Sequence, residues 1–119
     1  MAVNVLIVDT SEAVRDVLRE AISAEFHVVA EAEDGVEAIE IAETTDLDVV
    51  IMDIVMPGVD GIEATAKIKA LHPDVSVIFC TSSTQQETMK SAIEAGGDGY
   101  ITKPFEHSTI QDAVEDVLP

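Results

Sequence analysis

The sequence predicts an α/β protein built on an open, parallel sheet with helices on both faces. Three observations predict it. Short apolar runs alternate five times with stretches whose apolar residues recur every three or four positions. Most of the runs are solid in Val, Ile and Leu, as expected of strands buried on both faces. Four of them stop at a polar residue: Val5–Val8 at Asp9, Val49–Met52 at Asp53, Val75–Cys80 at Thr81, and Gly99–Thr102 at Lys103.

The elements follow in order. Val3–Val8 reads as a central strand. Over Ser11–Ala24 the period changes, and Ala13, Val14, Val17, Leu18, Ala21 and Ile22 form one helical stripe. Phe26–Ala32 is a second strand, less apolar and near an edge. Asp34-Gly35-Val36-Glu37 opens the second helix with the spacing of a capping box, and the spacing recurs at Asp60–Glu63 and Thr84–Glu87. Leu47–Met52 is the third strand and Ile62–Leu71 the third helix. His72-Pro73 stops that helix, because a residue before proline avoids helical backbone. Val75–Cys80 and Thr84–Ala95 are the fourth pair, closed by Gly96-Gly97, since left-handed caps prefer glycine. Asp98–Thr102 and a helix from His107 to Leu118 complete the chain.

Five βα units suggest a doubly wound sheet of flavodoxin-like order 2-1-3-4-5. Ligands in that order bind beyond the strand C-termini, at the switch point between strands 1 and 3. Those strands end at Asp9 and Asp53.

Composition narrows the class. At 119 residues the chain is one domain, 1–119, with no room for a second. Such a chain buries roughly two thirds of its unfolded surface. Six Lys/Arg against 24 Asp/Glu give a net charge of −18, which repels nucleic acid and anionic membrane. General solubility is one explanation; a salt-rich cytoplasm is the sharper one, since the Debye length is about 3 Å at 1 M salt and self-repulsion is screened. Cys80 is the only cysteine, so no disulfide framework exists, and it reads as a small buried hydrophobe. The Met1–Asn4 start is no signal peptide and no apolar stretch approaches the length of a membrane span, so a soluble, cytoplasmic protein is expected. His27, His72 and His107 share no metal spacing.

Clustered carboxylates repel unless a positive charge sits between them. Two candidates are a divalent cation and Lys103. Oxygen-only donors favour Mg²⁺, which keeps several waters and takes one or two carboxylates. With no His or Cys in the cluster, zinc is disfavoured. A carboxylate beside Mg²⁺ can attack phosphorus, and phosphoryl transfer needs mainly alignment and charge neutralisation. Asp53 is the best nucleophile, because strand 3 is central and the Ile54–Gly58 loop gives access. A carbonyl of that loop is a further metal donor. Lys103 and the Thr81 hydroxyl suit two phosphoryl oxygens. A cis Lys103–Pro104 bond would turn the chain and fix Lys103 over the site. A flavin-type cofactor protein would need a Gly- or Ser/Thr-rich phosphate loop after strand 1, and Thr10-Ser11-Glu12 is short and acidic instead.

Val8-Asp9, Met52–Pro57 with Asp60-Gly61, Cys80-Thr81-Ser82 and Tyr100–Phe105, in this order and spacing, resemble the receiver domain of two-component response regulators along the whole chain. Asp60–Thr65 and the Gly99–Phe105 ending are similar to archaeal CheY-type chemotaxis regulators, and the acidic composition agrees with a halophilic source. The resemblance implies that Asp53 accepts a phosphoryl group from a histidine kinase and that Thr81 and Lys103 hold it. Asp9 would bind Mg²⁺ largely through water, with Asp53 and the Val55 carbonyl as direct ligands. Tyr100 would rotate inward as Thr81 closes, changing the face made by the fourth helix, fifth strand and fifth helix. The family carries a second acidic residue after strand 1; here it is Thr10, a far weaker ligand.

With no output domain after Pro119, the expected role is a monomeric switch acting on a motor or motor-adaptor protein. A phosphorelay shuttle and a degenerate receiver, which binds partners without phosphorylation because of Thr10, are the alternatives.

Overall fold

A computed structural model describes residues 2–119. Met1, the first residue of the start read as no signal peptide, lies outside the described residues. Ten elements alternate: β1 (Asn4–Val8), α1 (Glu12–Ile22), β2 (His27–Ala32), α2 (Gly35–Thr44), β3 (Val49–Met52), α3 (Gly61–Leu71), β4 (Ser76–Thr81), α4 (Gln86–Glu94), β5 (Gly99–Thr102) and α5 (His107–Val117). The strands are all parallel in the order β2-β1-β3-β4-β5, so β2 is an edge strand, as its weaker apolar character predicts.

Alternation along each strand divides the core into two layers. Leu6, Val8, Val50, Met52, Val77 and Phe79 face Ala38 and Ala42 of α2, Ala64 and Ile68 of α3, and Ala92 of α4. Val5, Ile7, Val49, Ile51, Ile78 and Cys80 face Leu18, Ala21 and Ile22 of α1 and Ile110 and Val114 of α5. Leu6, Ile7, Ile51, Ile78 and Phe79 are essentially inaccessible. Each such side chain contributes about 1.5–3 kcal/mol, which lets an aliphatic core with few aromatics hold the sheet.

The caps explain where most helices begin. Ser11, Asp34 and Asp60 accept the amides of Val14, Glu37 and Glu63. Glu37 reaches back to the amide of Glu33 (3.1 Å), one residue before its expected partner. The third predicted box is corrected: Thr84 is exposed, Gln85 holds the cap position of α4, and no side chain caps it. Ser83 fills part of the gap, its hydroxyl accepting the Gln85 amide at 3.5 Å. At the other end of α4, Gly96 takes φ +108°, a left-handed conformation that side chains avoid. His72 leaves the helical region at φ −133° and ψ 83° before Pro73, and its Nε2 lies 2.5 Å from the Ala42 carbonyl.

Candidate acidic site at the strand C-termini

Asp9, Asp53, Thr81 and Lys103 arrive together because parallel pairing aligns the strand ends. Val8 pairs with Met52 and Thr81 with Thr102, so Asp9 and Asp53, one residue past the first pair, and Thr81 and Lys103, at and past the second, share one edge. Backbone bonds extend the ladder past the strands: the Asp53 amide donates to Val8 (2.9 Å) and the Lys103 amide to Thr81 (2.9 Å). The Lys103–Pro104 peptide is cis.

Lys103 is the positive charge between the carboxylates. Its Nζ lies 2.6 Å from Asp9 Oδ2 and 3.6 Å from Asp53 Oδ2. Asp9 is 2% and Asp53 7% exposed, so water screens the group poorly. Asp53 Oδ1 accepts the Ile54 amide at 2.8 Å, which turns Oδ2 toward Lys103. Burial first, and then the charge of Asp9, push the Asp53 carboxyl above its ordinary pKa, against the pull of Lys103. Burial alone would lower the Lys103 ammonium, but the Asp9 bond and the two carboxylate charges outweigh it and hold its pKa above the ordinary lysine value.

Thr81 is fully buried, and its hydroxyl accepts the Ser83 amide at 3.3 Å. Two residues along, the Ser83 carbonyl accepts the Tyr100 hydroxyl at 2.9 Å. The Tyr100 ring is half-buried and tilts against Phe79, with centroids 6.5 Å apart. One short loop thus joins the Thr81 hydroxyl to the Tyr100 ring. Gly61 brings α3 close to the site: a Cβ there would meet the Asp53 carbonyl oxygen at 1.9 Å, and its amide donates to Ile54.

The donor set fits Mg²⁺. Asp9 and Asp53 would supply two carboxylates, and the carbonyl of Val55, an exposed loop residue, would be the further oxygen. All are hard oxygen donors, the kind that ion takes beside water. Thr10 is exposed, and Glu12 is exposed at the start of α1. No cluster of three or more His, Cys, Asp or Glu able to hold a metal occurs among the described residues. The carboxylates therefore number two.

Sequence reasoning missed Arg15 and Ser11. The Arg15 Nη1 donates to the Asp9 carbonyl at 2.7 Å, and the Ser11 amide donates to Asp9 Oδ1 at 2.9 Å. One signal was available for Arg15: a cation next to the buried stripe of α1 in a chain with so few of them.

Fold and site together define a class. The model of the response regulator receiver domain matches residues 5–115, and the chain belongs to that family. Receiver domains are signalling proteins rather than conventional enzymes. The chain is 53% identical to the chemotaxis protein CheY of Halobacterium salinarum over 118 residues, 99% of this chain and 98% of that one. It is 37% identical to the CheY of Bacillus subtilis, covering 99% of each chain. A CheY-like receiver domain protein from Methanospirillum hungatei superposes with a TM-score of 0.92 at 25% identity, over 98% of this chain and 93% of that one. This is a CheY-like receiver. No helix among the described residues is long and apolar enough to cross a membrane.

Proposed function

We propose that the protein is a phosphorylation-controlled switch of the chemotaxis type, with residues 1–119 working as one receiver unit in the cytoplasm. The observation that carries the reading is the Lys103 ammonium set between two buried carboxylates at a parallel-sheet switch point. Asp53 is the acceptor. Its Oδ2 forms the new bond to phosphorus, and the donor atom, a kinase histidine nitrogen or the oxygen of a small acyl phosphate, leaves with the electron pair of the broken P–N or P–O bond. Lys103 then transfers its pairing from the carboxylates to a phosphoryl oxygen, and the Thr81 hydroxyl turns to another. Asp9, Asp53 and the Val55 carbonyl are the residues for Mg²⁺, whose contribution when bound is neutralisation of phosphoryl charge. Thr10 adds no carboxylate, so metal affinity is expected to be low for the family.

Movement of Thr81 draws on the Ser83 amide, and Ser83 holds Tyr100, so the signal leaves through α4, β5 and α5. An apolar groove of about 430 Å³, lined by Ala13, Val14, Val17, Lys103, Pro104 and Phe105, opens beside Lys103 and suits a histidine-bearing helix of the kinase. The target we propose is a motor or motor-adaptor protein, in keeping with relatives named as chemotaxis proteins. Incubation with Mg²⁺ and acetyl phosphate at high salt, followed by intact mass, tests the reading. One phosphoryl group is expected on the parent and none on Asp53→Asn. Absence of an adduct on the parent at saturating Mg²⁺ would favour the degenerate receiver.

A further inference from the structure

The Asp9 peptide is gripped at both ends. Its amide donates to the Ala32 carbonyl of β2 at 3.0 Å. Its carbonyl accepts Arg15 Nη1 at 2.7 Å, while Arg15 Nε donates to Glu31 Oε1 at 3.2 Å. The Arg15 side chain is 14% exposed, so these are sheltered bonds rather than a surface pair. Glu31 stands on β2 opposite Ile7 of β1, beside the strand end that carries Asp9. Arg19 also pairs with Glu31 and holds Asp16 at 2.6 Å, which steadies Glu31 from its other side. The chain has six cationic side chains, and two of them, Arg15 and Lys103, touch Asp9. Only arginine makes both Arg15 bonds, because its planar fork presents Nε and Nη donors at fixed angles, whereas lysine offers one point of charge.

We propose that Arg15 is a positioning residue of the acidic site, which clamps the Asp9 carbonyl to Glu31 and so aims the Asp9 carboxylate at Lys103 and Asp53. With both ends of the peptide fixed, the Ser11 amide meets Oδ1 and Lys103 meets Oδ2. Without the clamp the Asp9 carbonyl turns, the Ser11 bond opens, and the carboxylate loses its aim. The consequence for metal binding rests on the phosphoryl-transfer reading, but the clamp itself does not. Charge and geometry act with opposite signs. Loss of the Arg15 charge by itself favours a cation at Asp9, so weaker metal binding reports lost positioning.

The test compares the ¹⁵N-labelled parent with Arg15→Met, Arg15→Lys and Glu31→Gln in 1 M KCl. Ser11 amide exchange is read without metal, Mg²⁺ affinity by calorimetry, and stability by melting temperature. Arg15→Met is expected to speed Ser11 exchange about tenfold and to weaken Mg²⁺ binding about tenfold. Arg15→Lys, which keeps the charge and loses the fork, is expected to shift both in the same direction by about threefold. Glu31→Gln keeps an acceptor for Nε and is expected to stay within about twofold on both while melting lower. Should Arg15→Met not fold, Arg15→Lys decides by the same readouts. Unchanged Ser11 exchange, or unchanged or tighter Mg²⁺ binding, in the Arg15 variants overturns the clamp. A parent that binds no Mg²⁺ and takes no phosphoryl group overturns the proposed function instead, and Ser11 exchange still decides the role of Arg15.

Discussion

Replacing Lys103 with methionine removes the cation between Asp9 and Asp53 and keeps most of the aliphatic stem. The gross attractions lost are about 6 kcal/mol at 2.6 Å and about 5 kcal/mol at 3.6 Å for an effective dielectric near 20. Relief from desolvating the ammonium offsets much of this, and breaking one partner of a buried pair costs about 3–5 kcal/mol in practice. A loss of about 3 kcal/mol in EDTA is therefore expected, lowering the melting point by about 10 °C for a chain of this size. Mg²⁺ at a hundred times its dissociation constant returns about 3 kcal/mol by mass action. The variant should gain more from Mg²⁺ than the parent, because no ammonium has to leave Asp9 first. Thermal and urea melts followed by circular dichroism, in EDTA and in MgCl₂, give both numbers. A variant that melts within roughly 2 °C of the parent in EDTA, or gains no more than the parent from Mg²⁺, would refute the reasoning.

Three further outcomes are expected. Thr10→Asp should tighten Mg²⁺ binding about tenfold by restoring a third carboxylate; calorimetry reads it, and unchanged affinity means position 10 lies off the metal. Asp53→Asn should stabilise the metal-free fold at neutral pH, read as a higher urea midpoint than the parent's. The sign follows from Asp53 titrating above its unfolded value: the stability it contributes is full below about pH 3.9 and is lost as pH rises through the folded pKa, so the gain should vanish in acid. Urea titrations at neutral and acid pH check it. Tyr100→Phe should cost about 1 kcal/mol, the worth of its bond to Ser83, and should loosen the Thr81–Gln85 loop in amide exchange.

Much of this was legible in the sequence because burial on both faces writes parallel strands as solid apolar runs. Once Val5–Val8, Val49–Met52 and Val75–Cys80 read as strands, the order of the βα units placed Asp9, Asp53 and Thr81 at one edge, and the same regularity put Lys103 beside them. What the sequence left unwritten depends on contacts that residue type does not mark. The Arg15–Asp9 bond joins a helix to a backbone carbonyl, and a carbonyl has no signature in residue type. The Thr84–Glu87 spacing misled because a capping pattern states only a propensity. In the structure the chain between Thr81 and α4 is held by Ser83 and Tyr100, which leaves Thr84 outside the cap position. The peptide isomer at Lys103–Pro104 was equally silent, since both isomers share one sequence.

The central claim is that Asp53, rather than Asp9 beside it, takes the phosphoryl group. Borohydride reduction of the acetyl phosphate-treated protein, followed by peptide mapping, converts an aspartyl phosphate to homoserine at its own position and so reads the acceptor directly. Homoserine at position 53 is the predicted result. Homoserine at position 9, or at any other carboxylate, would contradict the account.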